Sequence, residues 1–139
     1  MKLYISTIQP QEKDFVWIKN INDLDVLVHD GEATQIVVKN FLSKIDPVNV
    51  DAFYKKIISK LSLKGSIKFV ELDFELATYK FNRNDLNIQQ LAELLFRHGA
   101  IHSVFTLAVL RDMTMHNGLN IHQSYVIQDT NEFVLVGGR

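Results

Sequence analysis

Three carboxylates recur at alternate positions: Glu71, Asp73 and Glu75. In an extended chain alternate side chains share a face, so a strand through this segment would gather all three on one side. At the carboxyl end of a central strand, where open α/β sheets place their ligands, such a set could hold a divalent cation or supply a general base. The plainer expectation is a solvated acidic edge where the strand leaves the sheet. That expectation is adopted, with no metal site.

His98 and His102 have the i, i+4 spacing of two zinc ligands on a helix. Gly99 lies between them and favours a helix end, and no glutamate follows His98 as the zinc-protease pattern requires. A structural or surface role is expected for both. His29 lies beside Asp30 and Glu32 and could serve as a base, but a lone loop histidine is a weak signal. No cysteine is present, which excludes disulfides, thiol catalysis and cysteine-ligated zinc or iron–sulfur centres. There is no Gly-x-Ser-x-Gly and no P-loop. The first glycine is Gly31, so no Gly-rich dinucleotide turn can follow the first strand.

The surrounding elements follow from periodicity and caps. Lys2–Ser6 and Phe15–Lys19 read as strands. Their link, Thr7–Asp14, is polar and contains Pro10. It is shorter than the dozen or so residues of a parallel crossover, so a full helix does not fit. Val26–Val28 reads as a weak third strand, Asp30-Gly31 as a turn, and Gln35–Lys39 as a short buried strand.

Asp46-Pro47 opens the best helix, with Val50, Phe53, Tyr54, Ile57, Ile58 and Leu61 on one apolar face. Gly65 is expected to end it at C′. Ser66–Leu72 is nearly continuous apolar sequence, which suits an interior parallel strand. A second helix is expected over Ile88–His98, with Asn87 and Gln90 as a cap pair and Leu91 and Leu95 in a buried stripe. A third is expected over Ser103–His116. Ile121–Ile127 and Phe133–Val136 read as an antiparallel hairpin.

The chain has 139 residues, of which 47% are hydrophobic and 22% charged, so one globular domain over residues 1–139 is expected. A formal net charge of −1 argues against general nucleic-acid binding. No apolar run approaches the ~18 residues of a membrane span, and the start, Met1 to Ser6, lacks a signal-peptide core. The chain is read as cytoplasmic, with no membrane partner.

Several of these segments together resemble class I S-adenosylmethionine-dependent methyltransferases. Lys2-Leu3-Tyr4-Ile5-Ser6-Thr7 stands where that family opens with Leu-x-Leu-Gly-Cys-Gly, and Asp14-Phe15-Val16-Trp17-Ile18-Lys19 stands at its second strand. Asp30-Gly31 and Ile36-Val37-Val38 are similar to the next turn and strand, and Asn40-Phe41-Leu42-Ser43-Lys44 occupies a short helix often reading His-Val-Leu-Glu-His. The run Leu61 to Asp73 resembles the family's Leu-Lys-Pro-Gly-Gly segment and its central strand. His102 to Phe105 and Gly118 to Ile121 are similar to the penultimate helix and turn, and Phe133 to Arg139 to the last strand.

The fold class implied is α/β: a three-layer methyltransferase-like (Rossmann-like) domain. It has a mostly parallel sheet, an antiparallel C-terminal hairpin, and a first helix missing or shortened. The departures fall on cofactor positions. Ser6, Thr7 and their neighbours replace the glycines of the first loop. Lys19 replaces the acid that would accept from the ribose hydroxyls, and lysine has no acceptor. The resemblance therefore implies a truncated, degenerate member that binds S-adenosylmethionine weakly or not at all, acting as a non-catalytic binding or oligomeric module. An exposed sheet edge makes a homodimer, or a complex with another protein, the expected assembly. The alternative is an active enzyme with an unusual cofactor loop. Ser6, Thr7 and Asn20 would then supply hydrogen bonds, Asp30 and Glu32 would line the adenine–ribose side, and Asn40 would lie in the same site.

Overall fold

The computed structural model describes residues 1–139. Six segments pair into one sheet: β1 (Lys2–Ile5), β2 (Val16–Ile18), β3 (Ala33–Lys39), β4 (Leu61–Leu72), β5 (Asn120–Ile127) and β6 (Glu132–Gly138). Their spatial order is β2-β1-β3-β4-β6-β5. β1 to β4 are mutually parallel, and β6 runs antiparallel to both β4 and β5. The helices are α1 (Leu24–Leu27), α2 (Val50–Lys60), α3 (Phe74–Asn82), α4 (Ile88–Phe96) and α5 (Leu107–His116). None is long and apolar enough to cross a membrane.

Alternation along the strands sets the core. Leu3 and Ile5 register with Ile36 and Val38, and those with Ile67 and Phe69. All six are fully buried in one cluster with Phe53, Tyr54 and Ile57 of α2. The Tyr54 ring stacks on Phe69 at 5.1 Å between centroids. Thr114 of α5 donates to the Leu110 carbonyl, so the Tyr54 hydroxyl is the donor in its hydrogen bond to the Thr114 oxygen. Burial pushes the Tyr54 pKa up to about 12 and keeps the phenol neutral.

No helix lies between β1 and β2, as expected, although the two strands are parallel. The other face of the sheet is open there. Lys2, Tyr4, Gln35, Val37, Lys68 and Val70 line a wide depression on it. A parallel sheet is normally covered on both faces. Here Val37 and Val70 are nonetheless only 8% and 7% exposed, in a depression whose lining includes the long side chains of Lys2, Gln35 and Lys68.

Several segments differ from expectation. Val26–Val28 is not a strand. One turn of helix, α1, places Leu24 and Val28 on the same side, and both are buried. The Asp46 helix stops at Lys60. Leu61 turns extended, pairs with Ala33 and is fully buried, so pairing captures a segment whose apolar spacing continues the helix. Gly65 is therefore inside β4, not at a helix end. Asp73 begins α3, a helix absent from the expectation. α4 has its Asn87–Gln90 capping box, but none of its residues is buried.

Candidate functional site

β1 lies between β2 on one side and β3 on the other, so the strand order reverses there. Open α/β sheets bind ligands at the carboxyl ends beside such a point. A crevice of about 400 Å³ opens there. Ser6, Thr7, Gln9, Lys39, Asn40 and His98 are among the residues lining it.

The loop following β1 is held by its own bonds. The Ser6 hydroxyl donates to the Ile8 carbonyl, and the Trp17 indole N–H donates to the Ser6 carbonyl at 2.9 Å. No residue of this loop has a positive φ. Asn40 ends β3 with a φ of 50°, a conformation asparagine tolerates better than most residues. Its backbone N–H donates to the Val70 carbonyl at 2.8 Å, and its side-chain nitrogen lies 3.3 Å from Nε2 of His98.

The expected cofactor residues divide. Ser6, Thr7 and Asn40 line the crevice together. Asn20 follows β2, but its side chain is engaged in a cap, accepting from the Asn22 N–H at 3.0 Å. Asp30 and Glu32 lie elsewhere. They precede β3, at the amino end of the sheet, whereas the crevice is at the carboxyl end. Asp30 accepts from Lys60 at 2.7 Å and from Ser59 at 3.2 Å, and the Lys60 ammonium holds its carboxyl below the usual range. Glu32 accepts from the His29 N–H at 2.9 Å. The Asp-Gly turn reads the same at either end of a strand, so local sequence could not place it.

The alternating carboxylates separate in the same way. Asp73 caps α3, accepting from the N–H groups of Glu75 and Leu76. Glu75 is exposed on the first turn of α3. No group of three or more His, Asp or Glu side chains is placed to hold a metal ion. Glu71 turns inward and is 1% exposed. Its Oε1 accepts from the backbone N–H groups of Phe41 at 2.9 Å and Leu42 at 2.7 Å, tying the segment after β3 to β4. Burial raises its pKa to about 7 against the lowering effect of those two bonds.

Glu71 lines a second, narrower cleft of about 30 Å³ beneath α4. His98 and Asn40 line both this cleft and the crevice. Partial burial, helped by the neighbouring Arg97 charge, holds the His98 pKa below its ordinary value, which favours the neutral imidazole. His102 turns away to Asp46, with Nδ1 at 3.3 Å from the carboxylate. The two histidines thus part: His102 takes the surface role expected of it, and His98 stands at the crevice, which its spacing does not indicate.

Compared by sequence, the chain matches no family model and no curated protein. By fold it matches class I S-adenosylmethionine-dependent methyltransferases. Magnesium protoporphyrin IX methyltransferase from Synechocystis PCC 6803, solved with bound S-adenosylhomocysteine, superposes with a TM-score of 0.59 at 12% identity, covering 90% of this chain and 50% of that one. The 1,6-didemethyltoxoflavin-N1-methyltransferase of Burkholderia thailandensis gives 0.60 at 10% identity, covering 96% and 58%. A chain in the complex of the Haloferax volcanii Trm112 methyltransferase activator gives 0.61 at 10% identity, covering 93% and 63%. The chain spans between 31% and 63% of the length of such structures.

Proposed function

We propose that this methyltransferase-fold chain is a binding module that takes S-adenosylmethionine weakly or not at all and transfers no methyl group. The observation that carries the reading is the β1–β2 connection. Its backbone turns without a glycine, and its first residues are locked by local bonds. The acceptor position after β2 holds Lys19, and the Asn20 carbonyl is engaged in its own cap. A first loop without glycine, and a lysine in place of the acceptor after β2, together weaken the crevice as a nucleoside site, leaving Glu12 as the one carboxylate that lines it.

Calorimetric titration with S-adenosylmethionine and S-adenosylhomocysteine tests this. The expected result is no measurable heat and an unchanged melting temperature. Micromolar binding, about −8 kcal/mol, would overturn it. It would favour an active enzyme with Ser6, Thr7 and Asn40 around the cofactor. The persistence of the crevice beside His98, whose pKa is held down by partial burial, is what favours that second reading.

The same reading places the chain in the cytoplasm and gives it a protein partner, the simplest being a second copy. β5 is an edge strand with no proline and no Lys, Arg, Asp or Glu between Asn120 and Ile127. Edges without such residues invite pairing. Two copies of β5 aligned antiparallel about a two-fold axis would close the assembly. Gel filtration with light scattering should report twice the monomer mass at tens of micromolar. A monomer at every concentration would refute the dimer.

A further inference from the structure

The second oxygen of Glu71, Oε2, is buried without a hydrogen-bond partner. A buried polar atom left this way is costly, and native structures hold few of them. The Ser43 hydroxyl lies close enough to the carboxyl to lower its pKa slightly, yet Oε2 keeps no hydrogen bond of ordinary geometry. The carboxyl forms part of the wall of the cleft beneath α4, so the missing partner can come from that side.

The cleft's chemistry narrows what that partner is. Leu94, Leu95, Ile101 and Phe105 make much of its wall apolar. No lysine or arginine lines it, so an anion would meet the Glu71 carboxylate without any counter-charge. A water would fit in about 30 Å³, but a stable buried water needs two to four polar partners. Here the Ser103 hydroxyl already donates to the Ile45 carbonyl and Asn40 already faces His98, so a water has the minimum of two partners, Glu71 Oε2 and the Ser43 hydroxyl, and is the occupant that a cationic head must displace. An ammonium or methylammonium group has a similar size. It meets the carboxylate as a charge-assisted donor, and its carbon stem suits the apolar walls.

Access is available on two sides. Asn40 and His98 border both the cleft and the crevice, so a stem can run from one into the other. α4, the roof, has no buried residue and so little holding it down.

We infer that the Glu71 cleft binds the cationic head of a small primary amine carrying a short apolar stem. The inference does not depend on whether the crevice takes S-adenosylmethionine.

The test is titration at pH 8 with isoamylamine, isoamyl alcohol and isovalerate, which share one carbon skeleton and differ in head group. The expected result is saturable binding of the amine at least tenfold tighter than the alcohol, and none of isovalerate. Glu71→Gln keeps an acceptor for the Phe41 and Leu42 N–H groups but removes the charge and replaces the free oxygen with a donor. It should weaken the amine at least tenfold, with circular dichroism confirming the fold. Should Glu71→Gln not fold, Leu95→Trp fills the cleft from a half-exposed position on α4 and should abolish amine binding. No binding by the wild type, or equal affinity for amine and alcohol, would overturn the site. So would retained affinity in a folded Glu71→Gln protein or in Leu95→Trp.

Discussion

Raising the pH from about 5 to about 8 will cost the folded chain about 3 kcal/mol of stability through Glu71 alone. Its pKa rises from 4.5 in the unfolded chain to about 7 in the fold, and each unit is worth about 1.4 kcal/mol. Between those values the native state keeps the proton that the unfolded chain has already released. Stability therefore falls as pH rises through that window, and is fully present below it. The cause is burial, only partly offset by the backbone N–H groups of Leu42 and Phe41. His98 acts in the opposite direction, since its lowered pKa makes acidification unfavourable to the fold.

Comparison with Glu71→Gln isolates the carboxyl. Urea unfolding at four pH values should give a curve for the wild type that falls away from that of the variant as the pH rises. Near pH 8 the variant should be the more stable protein, because a neutral amide replaces a buried charge. Parallel curves would show that Glu71 does not carry this penalty.

Gly65→Val should destabilise the chain by about 3 kcal/mol, at the upper end of what overpacking usually costs. A Cβ at Gly65 would lie 2.9 Å from the Ala33 carbonyl oxygen and 2.6 Å from Cδ1 of Leu61. Leu61 is fully buried and the carbonyl belongs to the neighbouring strand, so neither can give way cheaply. The urea midpoint should drop with the m-value unchanged. A change within 0.5 kcal/mol of wild type, typical of exposed positions, would mean that β3 and β4 approach less closely at Gly65 than described.

Gly65 also illustrates where reading from sequence reached its limit. Leu61 continues the apolar spacing of α2, and lysines cluster before Gly65, so every local signal extends the helix. Pairing with Ala33 begins four residues earlier and outweighs them. The α3 helix is absent from the sequence expectation for a related reason. Alternation of Glu71, Asp73 and Glu75 has the period of a strand, while Asp73 is also a good N-cap, and only the position of the sheet's end decides between the two. The capping box predicts α4, but its apolar stripe predicts a core position that the fold does not give it. Ile88 is 65% exposed and Phe96 56%, because the helix lies over the narrow cleft at the strand ends and not over the sheet.

The candidate site was legible to about the same depth. Ser6 and Asn40 are legible because each directly follows a strand whose β-branched and apolar residues identify it, and Thr7 comes with Ser6. Asp30 and Glu32 were misplaced because they precede their strand, and nothing local distinguishes the two ends of a sheet. The alternate spacing of Glu71 marks it in the sequence, whereas Gly99 and the absence of a following glutamate point His98 to a surface role.

What the amino-acid sequence determined by itself was the set of elements whose causes lie within a few residues: the apolar face of α2, the Asn87 cap, the hairpin β5–β6, and the loop after β1 that turns without glycine. What only the tertiary structure decided was everything resting on partners distant in the chain. Helix or strand at Leu61 was settled by Ala33. The burial of Glu71 was settled by the N–H groups of Phe41 and Leu42, thirty and twenty-nine positions away. The company of His98 was settled by Asn40, fifty-eight positions away. Local propensity amounts to a few tenths of a kcal/mol per residue, whereas burying one large side chain or orphaning one polar group amounts to roughly 1–3 kcal/mol. Where the two disagree, the distant contact prevails.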